Sequence, residues 1–417
     1  MKSFDEDLVQ TFETLEKDPA VQTALKTVVD RMPDIIEVQK ALTLIEAPTR
    51  HEEKKARRYA ELLREAGLED VTVDEHFNVF GRIPGSGRTG AAVLLEGHLD
   101  TVFSFGDVKG ITVDDEGRIH APGICDDTRA LAANLNVLLA LKTAGLVPVH
   151  DIIIAGTVCE EGLGGMDGMR WLLESLTQKT RILASVSIDG PSAGIFYANA
   201  TGMTDWDISF SGPGGHAWLR QGTPSAVHAA CRAATAAADL PLSDDPKTTM
   251  TVSLIEGGHA IHGIAENASF KINARSNSQA ALDRLNGEIL RVCREATDIE
   301  NARSPLGTLT MKAEKILDIP AGTQADDARI IQAVRIATRL SGAEPDFRRG
   351  GCTNANMSIA RRIPAVTLGR GGEEFGTHTL GEWFNPKGVH VCEQKSIRLI
   401  LALAGLTGIT EPLADTL

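Results

Sequence analysis

Four short runs, AAVLLEG, HDIIIAGTV, ILASVSID and IPAVTLG, are apolar at nearly consecutive positions rather than at alternate ones. A strand of that kind must be covered on both faces, which is the condition of a parallel sheet in an α/β fold. Between the first three runs lie RALAANLNVLLALKTAG and GMRWLLESL, which read as helices, the first with a glycine stop. The alternation predicts a mostly parallel sheet with helices on both faces. Upstream, residues 4 to 46 carry Leu8, Phe12 and Leu15, then Val28, Met32, Ile36, Val38 and Leu42, at helical spacing. Two or more helices are expected there, with Pro19 and Pro33 as breaks or first-turn residues. HEEKKARRYAELLREAG follows as an amphipathic helix ended by Gly67.

The pattern changes near residue 195. MTDWDISFSG, TTMTVSLIEGG, ASFKINARS and GTLTMKAE alternate like half-exposed strands, and two helical segments are interleaved with them. The order β-α-β-β-α-β is ferredoxin-like. An inserted ferredoxin-like α+β domain is therefore expected over 196–315. It interrupts an α/β catalytic domain made of 1–195 and 316–417, since DDARIIQAVRIATRLSG and IPAVTLG resume the first pattern.

Charge excludes some functions. The 417 residues carry 42 Lys and Arg against 56 Asp and Glu, a net charge of −14. Nucleic-acid and anionic-membrane surfaces want a basic face, so neither is expected as a partner. No apolar run approaches the ~20 residues needed to cross a bilayer. The acidic start, MKSFDEDLVQ, lacks the apolar stretch of a secretory signal. Six cysteines are scattered without a C-x-x-C pair, so no disulfide framework is expected. A reducing, cytoplasmic setting follows as the expectation.

Acids and histidines gather where the apolar strands end, the place where open α/β sheets bind ligands. The first run leads into His98 and Asp100, two residues apart and so on one side of the strand. Asp100 is placed to hold the second nitrogen of a ligating His98. APGICDD brings Asp126 and Asp127 to a helix start. Glu160 and Glu161 follow the second run, Asp189 ends the third, and His378 follows the last. Each has an ordinary explanation alone: a helix cap, a solvated pair, a buried histidine, a turn residue. Together, these carboxylates and the two histidines at neighbouring strand ends would repel unless cations sat among them. Oxygen and imidazole donors without thiolates suit zinc, and also manganese or cobalt.

Read as a set, EGHLDTV, GICDDTRALAANL, CEEGLGG, SIDGP, SGPGGHAWLRQGTPSAVHA, GGHAIHGIAENASFKINARS and GGCTNANMSIARRIPAVTLGRGG with THTLGEW resemble a known family. It is the zinc-dependent peptidase and amidohydrolase family of peptidase T, aminoacylase, acetylornithine deacetylase, succinyl-diaminopimelate desuccinylase and glutamate carboxypeptidase. The resemblance implies two divalent metal ions, zinc first. His98 and Asp189 would hold one, Glu161 and His378 the other, and Asp126 would bridge both through a segment whose peptide bond to Asp127 is cis. Glu160 would be the general base acting on a shared water, and Asp100 the partner of His98. His216 would reach the active site of a second subunit, and Arg275 would meet a substrate carboxylate. The inserted domain would serve as lid and as the contact of a homodimer, with relative domain motion.

The chain also departs from the family. Thr128 and Arg129 follow the aspartate pair. Asn354 replaces an aspartate, His262 stands where an asparagine that contacts substrate is common, and Asn273 replaces an aspartate. Asn354 and His262 are therefore expected at or beside the substrate. The expected reaction is hydrolysis of small peptides by a dipeptidase- or tripeptidase-like exopeptidase. The alternatives are an N-acyl-amino-acid amidohydrolase and, more remotely, a non-catalytic metal-binding protein of the same fold. A free substrate amine would want an acid, which Glu373 or Glu374 could supply.

Overall fold

The computed structural model describes residues 4–417. The chain divides into two units, one formed by the residues up to Asn199 together with Gln324–Leu417, the other by Ala200–Thr323.

The first unit is built on an eight-stranded sheet. In spatial order its strands are Glu69–Val73, Val79–Ile83, Asp151–Thr157, Ala91–His98, Arg181–Gly190, Ala365–Gly369, Ile195–Tyr197 and Asp346–Arg348. The four apolar runs of the sequence are the third to sixth of these, and they pair in parallel. Every residue of Ala91–His98 and of Ala365–Gly369 is buried. Helix Thr128–Thr143 packs on Ala91–His98 and is itself buried on almost all sides. Each fully buried Leu, Ile or Val there contributes roughly 1.5–3 kcal/mol. The opening segment forms three helices, Glu6–Lys17, Pro19–Asp30 and Met32–Thr43. Asp18 caps the second by accepting from the amides of Ala20 and Val21, with Pro19 in the first turn. Helix Glu53–Glu65 precedes Gly67, whose φ of +83° ends it.

Three features lie outside the sequence expectation. The antiparallel strands Glu69–Val73 and Val79–Ile83 extend the sheet at one edge. A small separate sheet joins Glu373–Phe375, Trp383–Asn385, Ile119–His120 and Thr112–Val113. Helix His390–Ala404 is buried along most of its length although it carries Glu393, Lys395 and Arg398. Each charge has a partner: Glu393 pairs with the buried Arg129, Lys395 donates to the Ala193 carbonyl, and Arg398 holds Glu16 at 2.7 and 3.0 Å.

The second unit has four antiparallel strands in the order Thr248–Gly257, Asn267–Ser276, Gly202–Ser211 and Thr310–Ile319. Helices Ala226–Ala238 and Gln279–Ala302 pack on this sheet, each capped by a serine, Ser225 and Ser278. The chain order is the ferredoxin-like one. The first strand, Gly202–Ser211, lies inside the sheet, and Thr248–Gly257 lies at an edge with Leu254 and Ile255 exposed. The last strand runs on to Ile319 rather than stopping near 314. A register shift between Lys315 and Leu317 breaks the alternation that would have revealed it. The chain consequently returns to the first unit at 324, not 316, and leaves it at 200, not 196, because Ile195–Tyr197 belongs to the larger sheet.

Among the described residues no helix is long and apolar enough to cross a membrane. Among the described residues no cysteine forms a disulfide.

Candidate metal centre

The parallel strands end side by side, so the residues just beyond them converge. Register sets His98 opposite Thr157, three residues before Glu160, and Ile188 opposite Leu368. His98 is buried. Its amide donates to Asp127 Oδ2 at 3.0 Å, and its Nδ1 lies 3.0 Å from the Asp100 carbonyl oxygen and 3.5 Å from Asp100 Oδ1. The ring is thus held from behind, with Nε2 turned to Asp126 Oδ1 at 3.1 Å and Asp189 Oδ1 at 3.9 Å. Asp100 does more than orient His98. Its two carboxylate oxygens accept from the amides of Glu160 and Glu161, each at 3.0 Å, and Thr49 Oγ1 lies 2.9 Å away.

Asp126 sits in the loop before helix Thr128–Thr143, and the Asp126–Asp127 peptide is cis. The loop is tied down by Glu382, which accepts from the amides of Gly123, Cys125 and Asp126 at 2.9, 2.8 and 3.2 Å. Neither aspartate caps the helix with its side chain. Asp126 Oδ2 faces His378 Nε2 at 3.0 Å, and that nitrogen also meets Glu161 Oε1 at 2.9 Å. Three overlapping sets of donor atoms therefore lie within 4.8 Å of one another: His98 with Asp126, Asp127 and Asp189; His98 with Glu160 and Glu161; and Asp126 with Glu161 and His378. The five residues expected as ligands come together, with Glu160 among them.

The charge balance of this cluster calls for cations. Burial pushes the Asp189 carboxyl up to about 8, with Asp126 adding to the rise. Burial also drives Glu160 and Asp127 well above the carboxylate range, and the negative neighbours reinforce it. Asp126 goes the other way: against burial, Arg370, His378 and His98 hold it low. His378 is pushed up to about 10 by its contacts with Asp126 and Glu161. His98 stays high despite burial because Asp127, Asp100 and Asp126 face it. Carboxylates that seek protons beside imidazoles that seek positive charge form a set that divalent cations would satisfy. The oxygen and imidazole donors fit such ions without any thiolate.

Three groups at the centre were not singled out by the sequence. Arg370, directly after Ala365–Gly369, is 3% exposed. Its Nη1 lies 2.7 Å from Asp126 Oδ1, 3.4 Å from Asp189 Oδ1 and 3.5 Å from Asp127 Oδ1, and its Nη2 donates to Glu374 at 3.1 Å. It occupies the same strand-end position as the acids, which was the available signal. Glu382 is the second. The third is Glu96, two residues before His98 and fully buried, which Ser187 and Asn354 hydrogen-bond.

Asn354, expected at or beside the substrate, is 3% exposed and donates to Glu96 at 2.9 Å and to Thr157 at 2.8 Å. Its NH₂ joins a buried network while its Oδ1 has no hydrogen-bond partner among the described residues, because a helix start packed against a sheet end turns its first side chain inward. Glu374, considered for a substrate amine, is engaged by Arg370. His216, His262 and Arg275 belong to the second unit and are exposed within it. His216 closes a two-stranded pair with Gly263–Ile264, and its Nδ1 accepts from the Trp218 amide at 3.2 Å. The His262 carbonyl accepts from Ala217, and Arg275 donates to Asn273 at 3.0 Å.

Comparison with known proteins agrees with this architecture. A tripeptidase from Staphylococcus aureus superposes with a TM-score of 0.73 at 23% identity, covering 88% of this chain and 96% of its own. A dinuclear metal-binding peptidase of the M20 family from Bacillus subtilis superposes with a TM-score of 0.67 at 15% identity, covering 89% and 98%. In sequence, a protein from Aspergillus terreus named Probable carboxypeptidase is 26% identical over 235 residues. That match takes in 54% of this chain and about half the length of the relative, 53%. The profile of peptidase family M20/M25/M40 matches residues 94–402, a stretch that contains every residue of the cluster, and the chain belongs to that family.

Proposed function

We propose that the protein is a metal-dependent hydrolase of amide bonds in small peptides, a di- or tripeptidase-like exopeptidase, with Glu160 as general base. The carrying observation is the convergence of His98, Asp126, Glu161, Asp189 and His378, with the buried Glu160 grouped with His98 and Glu161. Two divalent cations, held by His98, Asp189 and Asp126 on one side and by Glu161, His378 and Asp126 on the other, would supply Lewis acidity and acidify water towards neutral pH. Zinc is the first choice for this donor set, with cobalt and manganese next.

The chain's own groups do the rest. Glu160 is held through its amide by Asp100, in surroundings that raise its proton affinity. It is suited to take a proton from an attacking water and return it to the leaving nitrogen. Asp100 also fixes the Glu161 amide, so one carboxylate sets the spacing of base and ligand. Arg275 would orient a substrate carboxylate with its planar fork. His216 would face the developing oxyanion from a partner subunit in a homodimer formed through the inserted domain. The exposed edge strand Thr248–Gly257 is suited to such pairing. A cytoplasmic setting accords with cysteines that form no disulfide.

An N-acyl amino acid is the second candidate substrate, favoured by one observation: Arg370 already occupies Glu374, one of the two acids considered for a free amine. Turnover of a tripeptide compared with its N-acetylated form, with and without chelator, decides between them. Glu160→Gln should lower kcat ~10²–10⁴-fold while both metals stay bound. Undiminished hydrolysis by that variant would falsify the role of Glu160.

A further inference from the structure

Arg370 contacts the centre on one side only. The carboxylate oxygens it meets there are Asp126 Oδ1 at 2.7 Å, Asp189 Oδ1 at 3.4 Å and Asp127 Oδ1 at 3.5 Å. The first two are the oxygens that face His98 Nε2, at 3.1 and 3.9 Å. The guanidinium and the imidazole therefore share the oxygens of one metal position. The other position is framed by Asp126 Oδ2, Glu161 Oε1 and His378 Nε2. A guanidinium stays charged at every working pH, and this one is 3% exposed, so solvent screens it little. Its only other partner among these contacts is Glu374, which offsets part of the charge.

We infer that Arg370 makes the two metal positions unequal: the chain binds one divalent ion tightly at Glu161–His378 and a second more weakly at His98–Asp189. Two effects act in the same direction. Nη1 takes a lone pair of Asp126 Oδ1 that a metal would otherwise draw on. Its positive charge also repels a second cation a few ångströms away, an effect that weakens steeply with distance. The bridging Asp126 thus has one oxygen shared with an arginine and one free of it. The gap between the positions is at least about tenfold in affinity, or about 1.4 kcal/mol. Loading is then stepwise. At limiting metal the protein carries one ion, and the His98 position fills only when metal is plentiful. Arg370 acts here as a positioning residue, through the ligands rather than on substrate.

This inference rests on the proposed metal centre, and one titration separates the two. Zinc is titrated calorimetrically into the metal-stripped full-length chain, and bound zinc is counted by elemental analysis. Two classes of site at least tenfold apart are expected. His98→Ala should remove the weaker class and His378→Ala the tighter one. Arg370→Met should tighten the weaker class and close the gap, while Arg370→Lys keeps a gap because the charge is retained. Glu374→Gln, which removes the guanidinium's counter-charge, should widen it, and this arm decides if Arg370→Met does not fold. Two equal classes in the wild type, or a gap unchanged in Arg370→Met and in Glu374→Gln, overturns the inference. A chain that takes up no zinc at all sinks the metal centre itself, and this inference with it.

Discussion

Replacing Glu382 by Gln tests whether a single carboxylate sets the position of Asp126. The side chain is 1% exposed, and its two oxygens accept from three backbone amides of one loop, those of Gly123, Cys125 and Asp126. An amide group has one accepting oxygen, and its NH₂ cannot accept. At least one of the three buried donors is therefore left facing another donor. A buried donor without a partner costs about 1–3 kcal/mol. In a unit of roughly 290 residues, that loss lowers the melting temperature by about 2–5 °C. The functional effect should be larger. Asp126 meets His98 through one oxygen and His378 through the other, so a loop displaced by a fraction of an ångström disturbs both sides at once. Misplacement by about 1 Å typically costs ~10²-fold in rate, so kcat should fall about 10–100-fold with KM little changed. Calorimetric melting of the metal-free and zinc-loaded variant, alongside steady-state kinetics, measures both quantities. A Gln variant that melts within about 1 °C of wild type and turns over normally would refute the claim that this carboxylate anchors the loop.

Other outcomes follow from the same structure. Burial pulls the Lys395 ammonium down from 10.5 to about 8. A folded pKa below the unfolded one means that the folded chain binds fewer protons, so stability rises with pH between about 8 and 10.5. At pH 7 the buried charge costs about 3 kcal/mol. Lys395→Met should therefore melt higher at pH 7 and flatten the rise above pH 8; a lower melting point with the same pH profile would rule this out. Arg129 and Glu393 form a fully buried ion pair, so Arg129→Met should destabilise by about 3–5 kcal/mol in urea unfolding. Adding Glu393→Leu should recover most of that loss, since no lone charge then remains. Zinc should raise the melting temperature of the stripped protein by an amount that grows with its concentration, and calorimetric scans without any shift would count against a metal centre.

The catalytic strands were legible because burial on both faces leaves an unbroken apolar run, which no other surface of a soluble domain needs. The cluster of acids and histidines was legible for a related reason: acids are rare at the ends of such strands unless something neutralises them. Arg370 stands in the same position and was passed over, because a cation beside an apolar strand reads as a solvated end. The bond from Asn354 to Glu96 was not legible, because linear spacing does not tell which side of a helix start packs on the sheet end. Helix His390–Ala404 was missed because Glu393, Lys395 and Arg398 interrupt its apolar pattern. Their partners, Arg129, Ala193 and Glu16, lie hundreds of residues away, beyond any local window.

The order of the large sheet bears on how the chain is made. Arg181–Gly190 and Ile195–Tyr197 are nearly adjacent in sequence, yet Ala365–Gly369 lies between them. While the polypeptide leaves the ribosome, that slot stays vacant until some 170 further residues have emerged, and Arg181–Gly190 presents an unpaired edge meanwhile. His378, only nine residues past the late strand, arrives with it. Chaperone dependence of the nascent chain, and silence of any product truncated before residue 365, follow from one wedged strand.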